Sequence, residues 1–119
     1  PEAFELVVNA SNREKIVAWA GRLAVGLKAT LADRTADLGM LAVQGPKALE
    51  LCRGLFGGFD PAGLRYYFAG KAECLGSACV VSRTGYTGED GLEIVLPSEK
   101  LTELADELVR RGVTPCGLG

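Results

Sequence analysis

Histidine is absent from the 119 residues. That removes the commonest general base, and with it every Ser-His or Cys-His nucleophile pair. Acid–base work by this chain would fall to carboxylates, lysine or tyrosine. The four cysteines, Cys52, Cys74, Cys79 and Cys116, form no CxxC, and without histidine they complete no mixed zinc site. They read as reduced, partly buried thiols rather than as metal ligands or a disulfide framework. No apolar run approaches a bilayer-spanning length, and no signal peptide is visible, so no membrane partner is expected. Positive charge is not in excess: 13 Lys and Arg stand against 15 Asp and Glu, without a basic stripe that would suit nucleic acid. Repeats, low-complexity tracts and interdomain linkers are missing too.

What is present is one domain's worth of chain, residues 1–119, with 48% hydrophobic residues, enough for a real core. The chain begins at Pro1 without a methionine, which suggests a processed product or an excerpt. Its organising stretch is SRTGYTGEDGLEIVLP, Ser82 to Pro97. An apolar strand, Ala78 to Val81, leads into it, and a second strand, Leu92 to Leu96, leaves it. Between them Gly85, Gly88 and Gly91 permit positive φ and close approach to the backbone. In the second strand the period of two sets Leu92, Ile94 and Leu96 on one face and Glu93 with Val95 on the other. Glu93 thus sits beside a glycine-rich bend that holds Tyr86. A strand glutamate on a solvated face and a carboxylate placed for a ligand both fit that pattern, and no partner within the chain is assigned to it.

The rest of the chain reads as alternating strands and helices. Phe4 to Asn9 alternates as a strand. Ser11 and Glu14 form a capping-box pattern before a helix whose Ile16, Ala20, Leu23 and Leu27 make a core stripe, with Trp19 beside it and Gly26 at its end. Asn9, closing a strand just before a helix, is placed either to shape the turn or to meet a ligand. Lys28 to Asp33 and Met40 to Gln44 read as strands, and Pro46 to Leu55 as a helix with Leu49, Cys52 and Phe56 inward. Its GPK start lacks the glycine-rich lead and Lys-Ser/Thr ending of a phosphate loop. Tyr66 to Ala69 reads as a short aromatic strand with a turn at Gly70-Lys71. Three aromatics in a row cannot all enter one core. Ala72 to Leu75 and Ser77 to Arg83 form a hairpin. Ser98 caps a last helix with Leu101, Leu104, Ala105, Leu108 and Val109 along one stripe, and Gly112 stops it. The fold class expected is α+β, a mainly antiparallel sheet with packed helices, for which a ferredoxin-like arrangement is one option.

Four blocks in order carry a family resemblance: FELVVNASNREK, LAVQGPKAL, RTGYTGEDGLEI and TPCGLG. They resemble the aminomethyltransferase, or T-protein, family of the glycine cleavage system. RTGYTGEDGLEI is the specific block; the short ones alone are weak. The resemblance implies transfer of a one-carbon unit from the aminomethyl-lipoyl arm of H-protein to tetrahydrofolate, with release of ammonia and no metal. It implies that Glu93 grips the pterin, whose amino group and ring N–H are parallel donors matched by a carboxylate fork. By the same resemblance Tyr86, Val8 and Asn9 line the folate site, with Tyr67 and Phe68 near its aromatic wall. It implies a cytoplasmic bacterial protein, or a mitochondrial-matrix one in a eukaryote. The family's catalytic aspartate belongs to a block expected before Pro1, and an arginine that meets folate follows CGLG. The chain therefore reads as the middle third of a member, a single folate-binding fragment with no catalytic residue of its own, inactive alone. A sarcosine- or dimethylglycine-oxidising enzyme shares the GYTGE-type signature, and a non-enzymatic α+β interaction module is the reading from another class. The folate-dependent iron–sulfur maintenance relatives carry a KGCYxGQ signature that is absent here.

Overall fold

The computed structural model describes residues 3–117. They fall into two compact units, Pro1–Arg34 and Thr35–Gly119. In the first, a 3-10 turn at Ala10–Asn12 runs into helix α1, Arg13–Leu23. Phe4 to Asn9 and Lys28 to Asp33, both expected as strands, take no strand structure. Alternation shows which face a strand would bury, but a strand exists only when a partner takes up its N–H and C=O groups. Neither segment has a ladder partner among the described residues. Ser11 does not cap the helix; it lies inside the 3-10 turn, whose Asn12 N–H donates to the Asn9 carbonyl at 2.9 Å. No residue of α1 is buried, and Leu23 and Trp19 are largely exposed, so its apolar stripe covers no core within this unit. Arg13 and Asp33 close the unit through an ion pair of 2.9 Å.

The second unit holds the sheet. Its strands are β1 (Leu38–Gln44), β2 (Ala69–Cys74), β3 (Ser77–Ser82) and β4 (Gly91–Pro97). They lie in the order β1-β4-β3-β2, every pairing antiparallel. Two helices pack on this sheet, α2 (Ala48–Leu51) and α3 (Leu101–Arg110). The fold is therefore α+β, as expected. The strands and α-helices of this unit run strand, helix, three strands, helix, which differs from the ferredoxin-like order with a helix between its last two strands.

The core is the helix-covered face. Val43, Val81, Leu92, Ile94 and Leu96 enter it from the sheet, Cys52, Leu55 and Phe56 from around α2, and Leu104 and Leu108 from α3. The expected helix from Pro46 to Leu55 shrinks to Ala48–Leu51, with turns on either side, yet it still buries Cys52 and Phe56 and half-buries Leu49. The β2–β3 hairpin turns through Leu75 and Gly76, both at positive φ, the backbone twist that a two-residue loop requires. The aromatic strand expected at Tyr66 to Ala69 begins only at Ala69. Tyr67 is held at φ 65°, which breaks the extended run, and the expected turn at Gly70-Lys71 lies inside β2. Ser98 again caps nothing: a 3-10 turn, Ser98–Lys100, precedes α3, and the Ser98 hydroxyl donates to the Ala36 carbonyl instead. Gly112 does stop α3, at φ 95°, where Val113 N–H reaches back to the Leu108 carbonyl at 3.0 Å.

Leu104 is fully buried at the centre of this packing. Leu104→Ala should lower the unfolding free energy by about 2–5 kcal/mol, read from the midpoint of urea unfolding. An unchanged midpoint would mean that α3 is not seated on the sheet.

Candidate functional site

The sheet's second face carries Met40 and Ala42 from β1, Val80 and Ser82 from β3, and Glu93 and Val95 from β4, all of them half-buried or exposed. Glu93 stands in a row with Ala42 on one side and Ser82 and then Ala69 on the other. Small neighbours leave the carboxylate open above the sheet. The partner left unassigned by the sequence is Thr84, whose hydroxyl donates to Glu93 Oε2. Periodicity misses that bond because Thr84 lies in the bend, outside either strand.

The bend itself is built from three interactions. Arg83 meets Asp90 side-on, with Nε donating to Oδ1 at 2.9 Å and Nη2 to Oδ2 at 2.5 Å, while its Nη1 donates to the Leu64 carbonyl at 2.7 Å. Gln44, at the end of β1, inserts its amide: Nε2 donates to the carbonyls of Thr84 at 3.0 Å and Leu92 at 3.2 Å. The Thr87 hydroxyl donates to Gln44 Oε1 at 3.4 Å. This insertion explains two of the three glycines. A Cβ at Gly85 would collide with Gln44 Oε1, and one at Gly91 would lie 2.5 Å from the Val43 carbonyl oxygen. Gly88 answers to the other reason, with φ at 80°.

Four of the six residues singled out in the sequence belong to this unit. Glu93 occupies the open face. Tyr67 and Phe68 lie across from the start of the bend, since Tyr67 N–H donates to the Arg83 carbonyl at 3.0 Å and Arg83 N–H to that of Phe68 at 2.9 Å. The Tyr66 and Tyr67 rings meet edge to face at 4.4 Å, and the Arg65 guanidinium sits 5.0 Å above the Phe68 ring. All three aromatics are exposed, so none serves the core. Tyr86 projects wholly into solvent from the bend. Val8 and Asn9 belong to the first unit, where both are exposed. Gln44, Thr84 and the Arg83–Asp90 pair were not singled out, although Thr84 and the pair stand within the signature stretch.

The thiols lie apart from this chemistry. Burial pushes Cys52 and Cys74 up to about 11 and raises Cys79 as well, which keeps them protonated and unreactive at neutral pH. Asp90 moves the other way: its hydrogen bonds from Arg83 hold it below the ordinary aspartate range, against a smaller opposing effect of burial. A carboxyl whose pKa is lower folded than unfolded contributes stability above the unfolded value of about 3.9, and loses it as pH falls through the folded value. Melting temperature should therefore drop below about pH 4, and Asp90→Asn should flatten that acid limb while lowering stability at pH 7. Equal acid slopes in both proteins would show that the pair contributes nothing.

Comparison with known proteins agrees with the signature. The whole chain, residues 1–119, matches the family described as GCVT N-terminal domain. An aminomethyltransferase of Herpetosiphon aurantiacus is 42% identical over 119 residues, which cover 100% of this chain and 33% of that protein. One from Desulfitobacterium hafniense is 43% identical over 122 residues, covering 99% of this chain and 33% of the relative. Another, from Bordetella avium, is 43% identical over 122 residues, 100% of this chain and 32% of its own length. The chain thus spans about a third of the length of these relatives. With the match running from its first residue to its last, the chain belongs to the GCVT N-terminal domain family.

Proposed function

We propose that this chain is the pterin-binding part of a tetrahydrofolate-dependent aminomethyltransferase of the glycine cleavage system. Its partner is lipoylated H-protein, and tetrahydrofolate is the acceptor. The aminomethyl carbon leaves the lipoyl sulfur, which regains a proton. Ammonia departs, and the carbon bridges two folate nitrogens with no change in oxidation state. Glu93 receives the pterin's two donors, and Tyr67, Phe68 and Tyr86 supply aromatic surface. The proton-transferring group lies in the rest of the longer protein, which works in the bacterial cytoplasm or the mitochondrial matrix.

The observation that carries this reading is the setting of Glu93. Its carboxylate stands on the open face between small side chains, and the bond from the Thr84 hydroxyl uses only part of its accepting capacity. The remaining acceptors suit a planar edge with two parallel donors. Identity of 42–43% to aminomethyltransferases across the chain supports the choice of reaction. Titrating tetrahydrofolate into the longer protein, with and without Glu93→Gln, tests the reading. Equal affinities would remove its basis.

A further inference from the structure

Thr84 joins the two parts of the site. Its hydroxyl donates to Glu93 Oε2, and its carbonyl accepts from Gln44 Nε2 at 3.0 Å. The same amide nitrogen donates its other hydrogen to the Leu92 carbonyl at 3.2 Å, one residue before Glu93. Both hydrogens of one amide are thus committed to the two backbone points from which Thr84 and Glu93 project. Gly85 and Gly91 leave the room that Gln44 needs.

We infer that Thr84 is a positioning residue, whose hydroxyl fixes the Glu93 carboxylate in the rotamer that presents its free lone pairs to the ligand. The inference rests on the folate reading of Glu93 and deepens it. A glutamate on an open sheet face samples several staggered rotamers, and ordering it on binding weakens affinity. A carboxylate has about four acceptor sites, so one bond from Thr84 still leaves room for both pterin donors. Gln44 acts one step behind, by holding the backbone of Thr84 and of Leu92.

The test uses the longer protein and five forms: unchanged, Thr84→Ser, Thr84→Val, Thr84→Ala and Glu93→Gln. Tetrahydrofolate dissociation constants and melting temperatures are measured together with KM and kcat for aminomethyl transfer. Thr84→Val and Thr84→Ala should each raise the dissociation constant about tenfold, with a larger change in KM than in kcat, and Thr84→Ser should restore it. Weakened binding in Thr84→Val but not Thr84→Ala would trace to bulk and overturn the assignment. Unchanged affinity in both, with Glu93→Gln still defective, would overturn it too and leave the folate reading standing. Unchanged affinity in Glu93→Gln itself would remove that reading and this inference together.

Discussion

Mixed with aminomethyl-loaded, lipoylated H-protein and tetrahydrofolate, the 119-residue chain alone should release no ammonia above the uncatalysed rate. The reaction needs a proton delivered to the departing amine and a folate nitrogen held against the aminomethyl carbon. No histidine is available for the first task. Several carboxylates of the second unit are already engaged: Asp90 with Arg83, Glu103 with Lys100, Glu107 with Arg110 and Arg111. Glu93 accepts from Thr84 and, on the proposed reading, is occupied by the pterin. For the second task, the chain spans only about a third of its relatives' length, and on the proposed reading it would have to hold two large substrates by itself. A positioned general acid contributes about 10²–10⁴ in rate, and orientation of bound reactants contributes more. The expected deficit against the longer protein is therefore at least about 10⁴-fold, below detection in an ammonia assay. A clear folate-dependent rate from the chain alone would show that the proton-transferring group lies within it.

Strands β1, β3 and β4 and helix α3 are legible because each satisfies its own local pattern and finds a partner within the chain, whereas β2 is legible only from Ala72 onward, Gly70-Lys71 being expected as a turn. In β4 the alternation of Leu92, Ile94 and Leu96 against Glu93 and Val95 predicts the burial observed. The stripe of Leu101, Leu104 and Leu108 likewise predicts the face of α3 that meets the core. Phe4 to Asn9 and Lys28 to Asp33 alternate just as well and form no strand. Pairing is a non-local property, and periodicity carries no information about who the partner is. The aromatic run failed for a local reason. Tyr67 at φ 65° is a conformation that sequence rules reserve for glycine or asparagine, so nothing in the letters announces it.

The site divides in the same way. Glu93 and the three glycines could be placed from spacing and residue type. Whether Glu93 had a partner could not, because Thr84 reaches it across a bend whose path is set by Gln44, some forty residues earlier. The Arg83–Asp90 pair is seven residues apart and closes the bend at its base. Opposite charges at the two ends of a glycine-rich loop are a signal that could have been read. Gln44 offered none: a glutamine at a strand end is ordinary, and only the cramped space at Gly85 and Gly91 reveals its role. These three interactions stiffen a loop that composition alone would class as flexible, and they hold Glu93's neighbour Thr84 in place.

In the longer protein, Glu93→Gln and Glu93→Ala should lower tetrahydrofolate affinity by tens to thousands of fold, the two variants failing for different reasons. Gln keeps the size but turns one acceptor into a donor that faces a donor on the pterin. Ala removes both acceptors and opens space to water. Hydrogen bonds to a charged group contribute about 1.5–3 kcal/mol each, and two are at stake before relaxation. Stability should respond less, and unequally. Gln retains an oxygen that can accept from the Thr84 hydroxyl, so its melting temperature should stay close to that of the unchanged protein. Ala strands that hydroxyl, at a cost of about 1 kcal/mol on a half-open face. Glu89 is the internal control: it is exposed in the same bend, and Glu89→Gln should leave affinity within about twofold, since surface substitutions away from a binding group change energies by about 0.5 kcal/mol or less. Titration of tetrahydrofolate into the three variants, beside their melting curves, separates binding from folding. Near-normal affinity in Glu93→Gln together with a large loss of stability would make Glu93 a structural partner of Thr84 and nothing more.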